Sequence, residues 1–276
     1  MVLSKKYPNT NQPNLVALHS TNTTLRLRVF AGPNGSGKST IIQAVKNYKV
    51  KNIPVDFGIY INADDIEQAL RKGTFTFPPY TIKFHPENFI ATALASGLVN
   101  KDFPEKEFLK SYTWNGKKLM LAAPKYAARL AQIIADYLRK VLLAERKKFS
   151  FETVFSHESK LDIMRQAAEA GYKVYLYFVC TESPEINKYR VKEVRLKEGG
   201  HDVPEDKIES RYYRSLDLLF NAAQIAYQAY FFDNSGEEFS AFAHFKKVRG
   251  KKQWDIIDKS KVPQWFLKYY SAKVKK

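Results

Sequence analysis

Gly32-Pro33-Asn34-Gly35-Ser36-Gly37-Lys38-Ser39-Thr40 is the stretch on which the fold turns. It fits the pattern GxxxxGK[ST], in which small residues let successive backbone N–H groups converge on phosphate oxygens. A helix starting at the end of such a loop presents its positive end to the same oxygens. In this pattern Lys38 reaches the β- and γ-phosphates of a nucleotide and the Ser39 hydroxyl ligates Mg²⁺. The pattern needs a strand before it and a helix after it. Leu25-Arg26-Leu27-Arg28-Val29-Phe30-Ala31 alternates and then turns apolar, as a strand entering an interior does, and Ser39 to Tyr48 has helical spacing.

Beyond the loop, strands and helices alternate. Phe57 to Ile61, Phe149 to Phe155, Val174 to Cys180 and Tyr230 to Phe232 read as strands, with helices between them. That order predicts an α/β fold with a parallel sheet covered by helices on both faces. A long helix is expected from Pro124 to Lys147, its proline suited to a first turn. The stretch from Lys72 to Ala123, broken by Pro78-Pro79 and His85-Pro86, reads as irregular, with an Asn115-Gly116 hairpin turn. The chain therefore divides into a flexible arm (1–24), a main domain (25–235) with a substrate-side insert (72–123), and a C-terminal extension (236–276). The extension should form a hairpin turning near Arg249-Gly250, then a short aromatic helix.

Three further stretches bring candidate chemistry to the strand ends, where parallel α/β sheets bind ligands. In Ile61-Asn62-Ala63-Asp64-Asp65, Asp64 is either the base that takes a proton from an acceptor hydroxyl or a cap for the next helix. Glu152 interrupts the apolar run Phe149 to Phe155, and a carboxylate there is costly unless paired. It either binds substrate hydroxyls, or Mg²⁺ through water, or pairs with a structural arginine. Arg190, Arg195, Arg211 and Arg214 flank Gly199-Gly200-His201, and read either as a lid closing over phosphates or as a solvated face. The five histidines show no metal-ligand spacing.

Composition narrows the class. Across 276 residues, 45 Lys and Arg against 28 Asp and Glu leave +17, which favours anionic partners. The end of the chain is especially basic and carries Trp254, Trp265, Phe266, Tyr269 and Tyr270, either a platform for stacking bases or aromatics that dock the tail. A lone cysteine, Cys180, excludes a disulfide framework. With no apolar run of membrane-spanning length and no signal-peptide pattern, a cytoplasmic setting is expected, with no membrane partner.

Taken together, GPNGSGKST (Gly32 to Thr40), INADD (Ile61 to Asp65), FET (Phe151 to Thr153) and SPE…R…GGHDVPEDKI…RYYRSL (Ser183 to Leu216) resemble the zeta toxin-like P-loop kinases. The glycine-histidine segment with its flanking arginines is the most specific part. The resemblance runs over roughly residues 27 to 235. It implies a P-loop kinase-like sheet and ATP-dependent, Mg²⁺-dependent phosphorylation of a hydroxyl on a small, anionic acceptor; in zeta toxins the acceptor is the nucleotide sugar UDP-N-acetylglucosamine.

Carried onto this chain, the resemblance gives Gly32, Pro33, Asn34, Gly35, Ser36, Gly37, Lys38, Ser39 and Thr40 to ATP, and Ser39 to the metal. Asp64 becomes the base and Glu152 a substrate ligand, while Arg195 with Arg211 or Arg214 makes the lid contacts. Asn234, in Asp233-Asn234-Ser235, falls at the turn near the adenine. An antitoxin protein is the implied partner. The chain departs from the family in Val154, where many relatives have threonine, and in the distance of His85-Pro86 from Asp64. A nucleic-acid-associated P-loop enzyme, a polynucleotide kinase or ATPase using the basic tail, is the competing reading.

Overall fold

The computed structural model describes residues 24–195, 203–256 and 259–274. The arm expected over 1–24 lies outside them up to residue 23, as does the glycine-histidine turn within 196–202. A central strand, β1 (Arg26–Ala31), feeds the glycine loop and helix α1 (Lys38–Asn47). A small hairpin, β2 (Lys49–Val50) and β3 (Ile53–Pro54), leads to β4 (Ile59–Ile61) and α2 (Ala63–Arg71). Next come α3 (Pro86–Ala95), α4 (Glu105–Lys110) and the hairpin β5 (Tyr112–Trp114) with β6 (Leu119–Leu121). Helix α5 (Ala127–Ala144) precedes β7 (Phe149–Thr153), α6 (Ser159–Glu169) and β8 (Lys173–Cys180). Helix α7 (Pro184–Tyr189) continues as a helical segment Arg190–Arg195, and α8 (Glu205–Ile225) leads into β9 (Gln228–Asp233). Strands β10 (Ser240–Val248) and β11 (Lys251–Ile256) and a helical segment over 264–274 complete the chain.

The seven-stranded sheet has the order β11-β10-β9-β8-β1-β7-β4. Its five strands from β9 to β4 are parallel, and β10 and β11 extend it antiparallel. From β1 the chain runs out to β4 on one side and later fills β8 and β9 on the other. The end of β1 thus lies where ligands collect in such sheets.

Alternation along β1 divides the core. Leu27, Val29 and Ala31 join the larger cluster with residues of α2, α5, α6 and α8, whereas Phe30 faces Ile41, Ile42 and Val45 of α1. Each fully buried Phe or Leu contributes ~1.5–3 kcal/mol. Beyond α1, an aromatic ladder lines that face, in register from Phe30 to His244. Phe57 stacks on Phe30 (5.3 Å), Phe30 on Tyr177 (4.6 Å), Tyr177 on Tyr230 (5.0 Å) and Tyr230 on His244 (5.2 Å).

The stretch from 72 to 123 is not irregular. Its two helices and hairpin close around Phe77, Phe84, Phe89 and Trp114, with Phe77–Phe84 at 4.3 Å and Phe84–Trp114 at 4.5 Å. This cluster seats on Tyr137 of α5, whose hydroxyl accepts from the His85 N–H. The prolines break the local period, and aromatic packing against a distant helix supplies the order instead. Strand β7 ends at Thr153 rather than Phe155, because Phe155 takes a φ of 60° while burying its ring completely. In the tail, Trp265, Phe266 and Tyr270 are buried in the main core, so these aromatics dock the extension. Among the described residues no helix is long and apolar enough to cross a membrane.

Candidate active site

The loop between β1 and α1 is shaped by what it touches. Gly37 has φ 87°, and a Cβ there would meet the Asn234 side chain at 1.9 Å. At Gly35, with φ 74°, it would meet the Asn187 carbonyl at 2.6 Å. Glycine is therefore required at both places, by backbone hand and by space. Two asparagines hold the loop's carbonyls: Asn234 Nδ2 donates to Ser36 O (2.9 Å) and Asn187 Nδ2 to Asn34 O (2.5 Å). In a trans peptide the N–H opposes its carbonyl. The N–H groups of Gly37 and Gly35 are thus turned away from the asparagines that fix them, as a phosphate cradle needs.

These clamps have their own supports. Asn187, wholly buried, accepts from the Thr181 hydroxyl through its Oδ1. Arg190, one turn further along, donates to the carbonyls of Asn234 (2.5 Å) and Gly236 (3.0 Å). Trp265 reaches back from the tail to donate to Asp233 Oδ1 (3.0 Å).

Lys38 is buried at the start of α1, where its Nζ donates to Pro33 O (3.0 Å) and lies 3.8 Å from Glu152 Oε1. The β1–β7 register pairs Phe30 with Glu152, which sets this carboxylate beside the loop. Its other oxygen accepts from the Tyr60 hydroxyl (3.3 Å). Burial, reinforced by the charge of Glu152, pushes the Tyr60 phenol well above its usual range, so it remains a donor. Among the described residues, no arginine pairs with Glu152.

Asp64 follows β4, two strand spacings (~10 Å) from β1. It does not cap α2: Asn62 does, its Oδ1 accepting from the Asp64 N–H (2.9 Å). Asp64 is half-buried in the first turn, and burial, then the charge of Asp64, raises the pKa of Asp65 against an opposing pull from Lys46. Ser39 and Thr40 are exposed at the first turn of α1.

Of the arginines expected on a lid, Arg211 reaches the loop, with Nη1 3.5 Å from Asn34 Oδ1. Burial and then the charge of Arg214 lower its pKa. Arg214 is exposed and donates to Ser210 O within its own helix (3.2 Å). The side chain of Arg195 lies outside the described residues.

The structure brings Lys38, Glu152 and Arg211 to one loop, with Asn234 behind it and Asp64 across the strand ends. Asn187 and Tyr60 were not singled out as site residues from sequence, and Arg190, read there as part of a lid or of a solvated face, instead holds the turn after β9. The i, i+3 spacing of Asn187 and Arg190 on one helix was the available signal. Within the cradle, the Ser36 hydroxyl is buried with no hydrogen-bond partner among the described residues, as fits a group awaiting an anionic ligand. Among the described residues no group of His, Cys, Asp or Glu is arranged to hold a metal unaided.

No protein-family model matches the chain. A stretch of 64 residues is 38% identical to an uncharacterized protein of Haemophilus influenzae, covering 23% of this chain and 45% of that one. Among solved structures, a chain of the native AvrRxo1-ORF1:AvrRxo1-ORF2 complex aligns over 84% of this chain and 61% of its own, with a TM-score of 0.51 and 13% identity. The same complex solved with ATP gives 0.50 and 14%, over 84% and 60%. The likeness is one of fold: an α/β architecture with a mainly parallel sheet, shared with those solved chains. The chain spans about three fifths of those solved chains, and the stretch matched in the H. influenzae protein covers less than half of that protein.

Proposed function

We propose that the chain is an ATP-dependent kinase that transfers the γ-phosphoryl group to a hydroxyl of a small, anionic acceptor, in the manner of zeta toxin-like enzymes. The observation that carries this reading is the contact of Lys38 with Glu152 beneath the glycine loop, with Asp64 at a neighbouring strand end. MgATP, when bound, supplies the phosphoryl group and the charge of the divalent cation. The residues present fit it: the N–H groups of Gly35 and Gly37, the Ser36 and Ser39 hydroxyls and Lys38 would hold the phosphates and metal. A solved relative of this fold bound ATP, which supports the same ligand here.

The remaining work falls to this chain's own groups. Lys38 and Arg211, with Arg195 and Arg214 on the lid, neutralise charge on the migrating group. Asp64 takes the proton from the acceptor hydroxyl. Glu152, oriented by Tyr60, holds acceptor hydroxyls, and Asn234 lines the adenine side. The insert over 72–123 and α5 shape the acceptor pocket. An antitoxin protein is the partner we assign, in keeping with the two-protein complex in which the AvrRxo1 relatives were solved.

Incubation with labelled ATP and a metabolite panel containing UDP-sugars, nucleosides and NAD tests the proposal by mass spectrometry. One compound should gain a phosphate. Asp64→Asn should retain ATP binding while transfer falls by about 10²–10⁴-fold. Undiminished transfer by that variant would remove Asp64 as the base, and ATP hydrolysis without any phosphorylated product would remove the kinase assignment.

A further inference from the structure

The C-terminal extension builds a second concavity, remote from the glycine loop. The β10–β11 hairpin and the segment over 264–274 enclose about 920 Å³. It opens at the amino-terminal end of the parallel strands, where the Lys247 N–H donates to Tyr227 O (2.8 Å), just ahead of β9. The phosphate loop lies at their other end.

The walls are apolar. Trp254, Phe266 and Tyr270 form the floor, and Trp254, Leu267 and Val274 remain 38%, 41% and 58% exposed. An apolar patch of this kind rimmed by charge marks an interaction surface. The rim carries Lys247, Lys251, Lys252 and Lys259.

The lysines are placed at a cost. Lys247 and Lys252 lie directly opposite each other across the antiparallel pair, an arrangement that repels. Lys252 Nζ donates to Gln224 Oε1 (2.9 Å) and Tyr270 OH (3.0 Å) and lies 4.8 Å from the Phe245 ring centre. Burial, and then the charge of Lys247, brings its pKa down to about 8. Lys247 donates to Gln224 O at the last turn of α8 (2.6 Å), and burial lowers its pKa too. Among the described residues, none of the four lysines has a carboxylate partner. A cluster of ammonium groups held over an aromatic floor without counter-ions calls for negative charge from outside.

We propose that this concavity docks an acidic segment of a partner protein, which sets an apolar side chain on the Trp254–Phe266–Tyr270 floor and its carboxylates on the lysine rim. A peptide is favoured over a small anion because the four ammonium groups are distributed along the hairpin and the loop beyond it. Lys247 and Lys252 share Gln224 as an anchor, whereas Lys251 and Lys259 stand on the exposed rim, with Leu267 and Val274 exposed in the same concavity. The site is independent of nucleotide binding, so this inference stands or falls apart from the kinase reading.

The test titrates the full-length protein with a fluorescein-labelled peptide of about twelve residues alternating Glu and Leu. Parallel titrations use Gln/Leu and Lys/Leu counterparts and a single-stranded oligonucleotide. The Glu/Leu peptide should bind, weaken steeply with salt, and lose about tenfold or more in affinity in Lys247→Gln/Lys252→Gln, while ATP binding is unchanged. If that variant fails to fold, Lys251→Gln/Lys259→Gln on the exposed rim carries the same expectation. Equal binding of the Gln/Leu peptide, binding indifferent to all four substitutions, or an oligonucleotide that takes the same lysines more tightly would each overturn the proposal. So would a wild-type protein that binds no peptide while the lysine variant self-associates, since the lysines would then guard the sheet edge.

Discussion

Lys38, Asp64 and Glu152 were legible as residue types at telling positions, but their relations were not. Glu152 at an apolar strand end announces a paired carboxylate; that its partner is Lys38 follows from the β1–β7 register. Gly37→Ala should therefore damage binding and stability together: its Cβ enters the space of Asn234 and its φ is left-handed. A loss of about 1–3 kcal/mol, read by denaturant unfolding, is expected alongside weaker ATP binding in calorimetry. A second residue-scale expectation concerns Lys160, whose pKa is brought to about 7 by burial and by Arg139, with Asp136 opposing and Lys140 adding to the fall. The folded state gives up this proton near neutrality, whereas the unfolded chain keeps it to about pH 10. The destabilising contribution is thus full below pH 7 and fades as pH rises. The urea midpoint should climb between pH 7 and 9.5, and Lys160→Met should flatten part of that climb; Lys252, depressed in the same sense, supplies another part.

At the scale of elements, the alternation of strands and helices was readable because each carries its own period. Caps and clamps were not, since several residue types serve them. Asn62, not Asp64, caps α2. Asn62→Ala should lower stability by about 1 kcal/mol and reduce phosphoryl transfer by releasing the turn that carries Asp64. Helix α7 and the helical segment that continues it brace the glycine loop from behind. Asn187 of α7 holds Asn34, and Arg190, which begins the next segment, holds the turn after β9. Asn187→Ala leaves the Asn34 carbonyl and the Thr181 hydroxyl buried without this partner. Melting temperature should fall with a loss of about 1–3 kcal/mol, and the KM for ATP should rise more than kcat falls. The insert over 72–123 escaped a periodic reading because its order comes from rings on separate elements meeting on α5.

Across the whole molecule, the basic tail is part of the sheet and core. Trp265 ties it to Asp233, next to the asparagine that holds Ser36. Trp265→Phe should keep most of the packing against Phe178 and Phe242 yet lose this hydrogen bond, lowering stability by about 1 kcal/mol and weakening ATP binding. Unchanged values for both would show that the tail does not support the nucleotide side. The glycine loop itself was legible in the chain, because a run of consecutive small residues between a strand and a helix makes it from contiguous backbone. Which carboxylate meets Lys38, which asparagines brace the loop, and whether the terminal aromatics face solvent were decided only by tertiary structure. Those contacts join residues far apart in sequence through strand register and shared burial, and no local pattern encodes either.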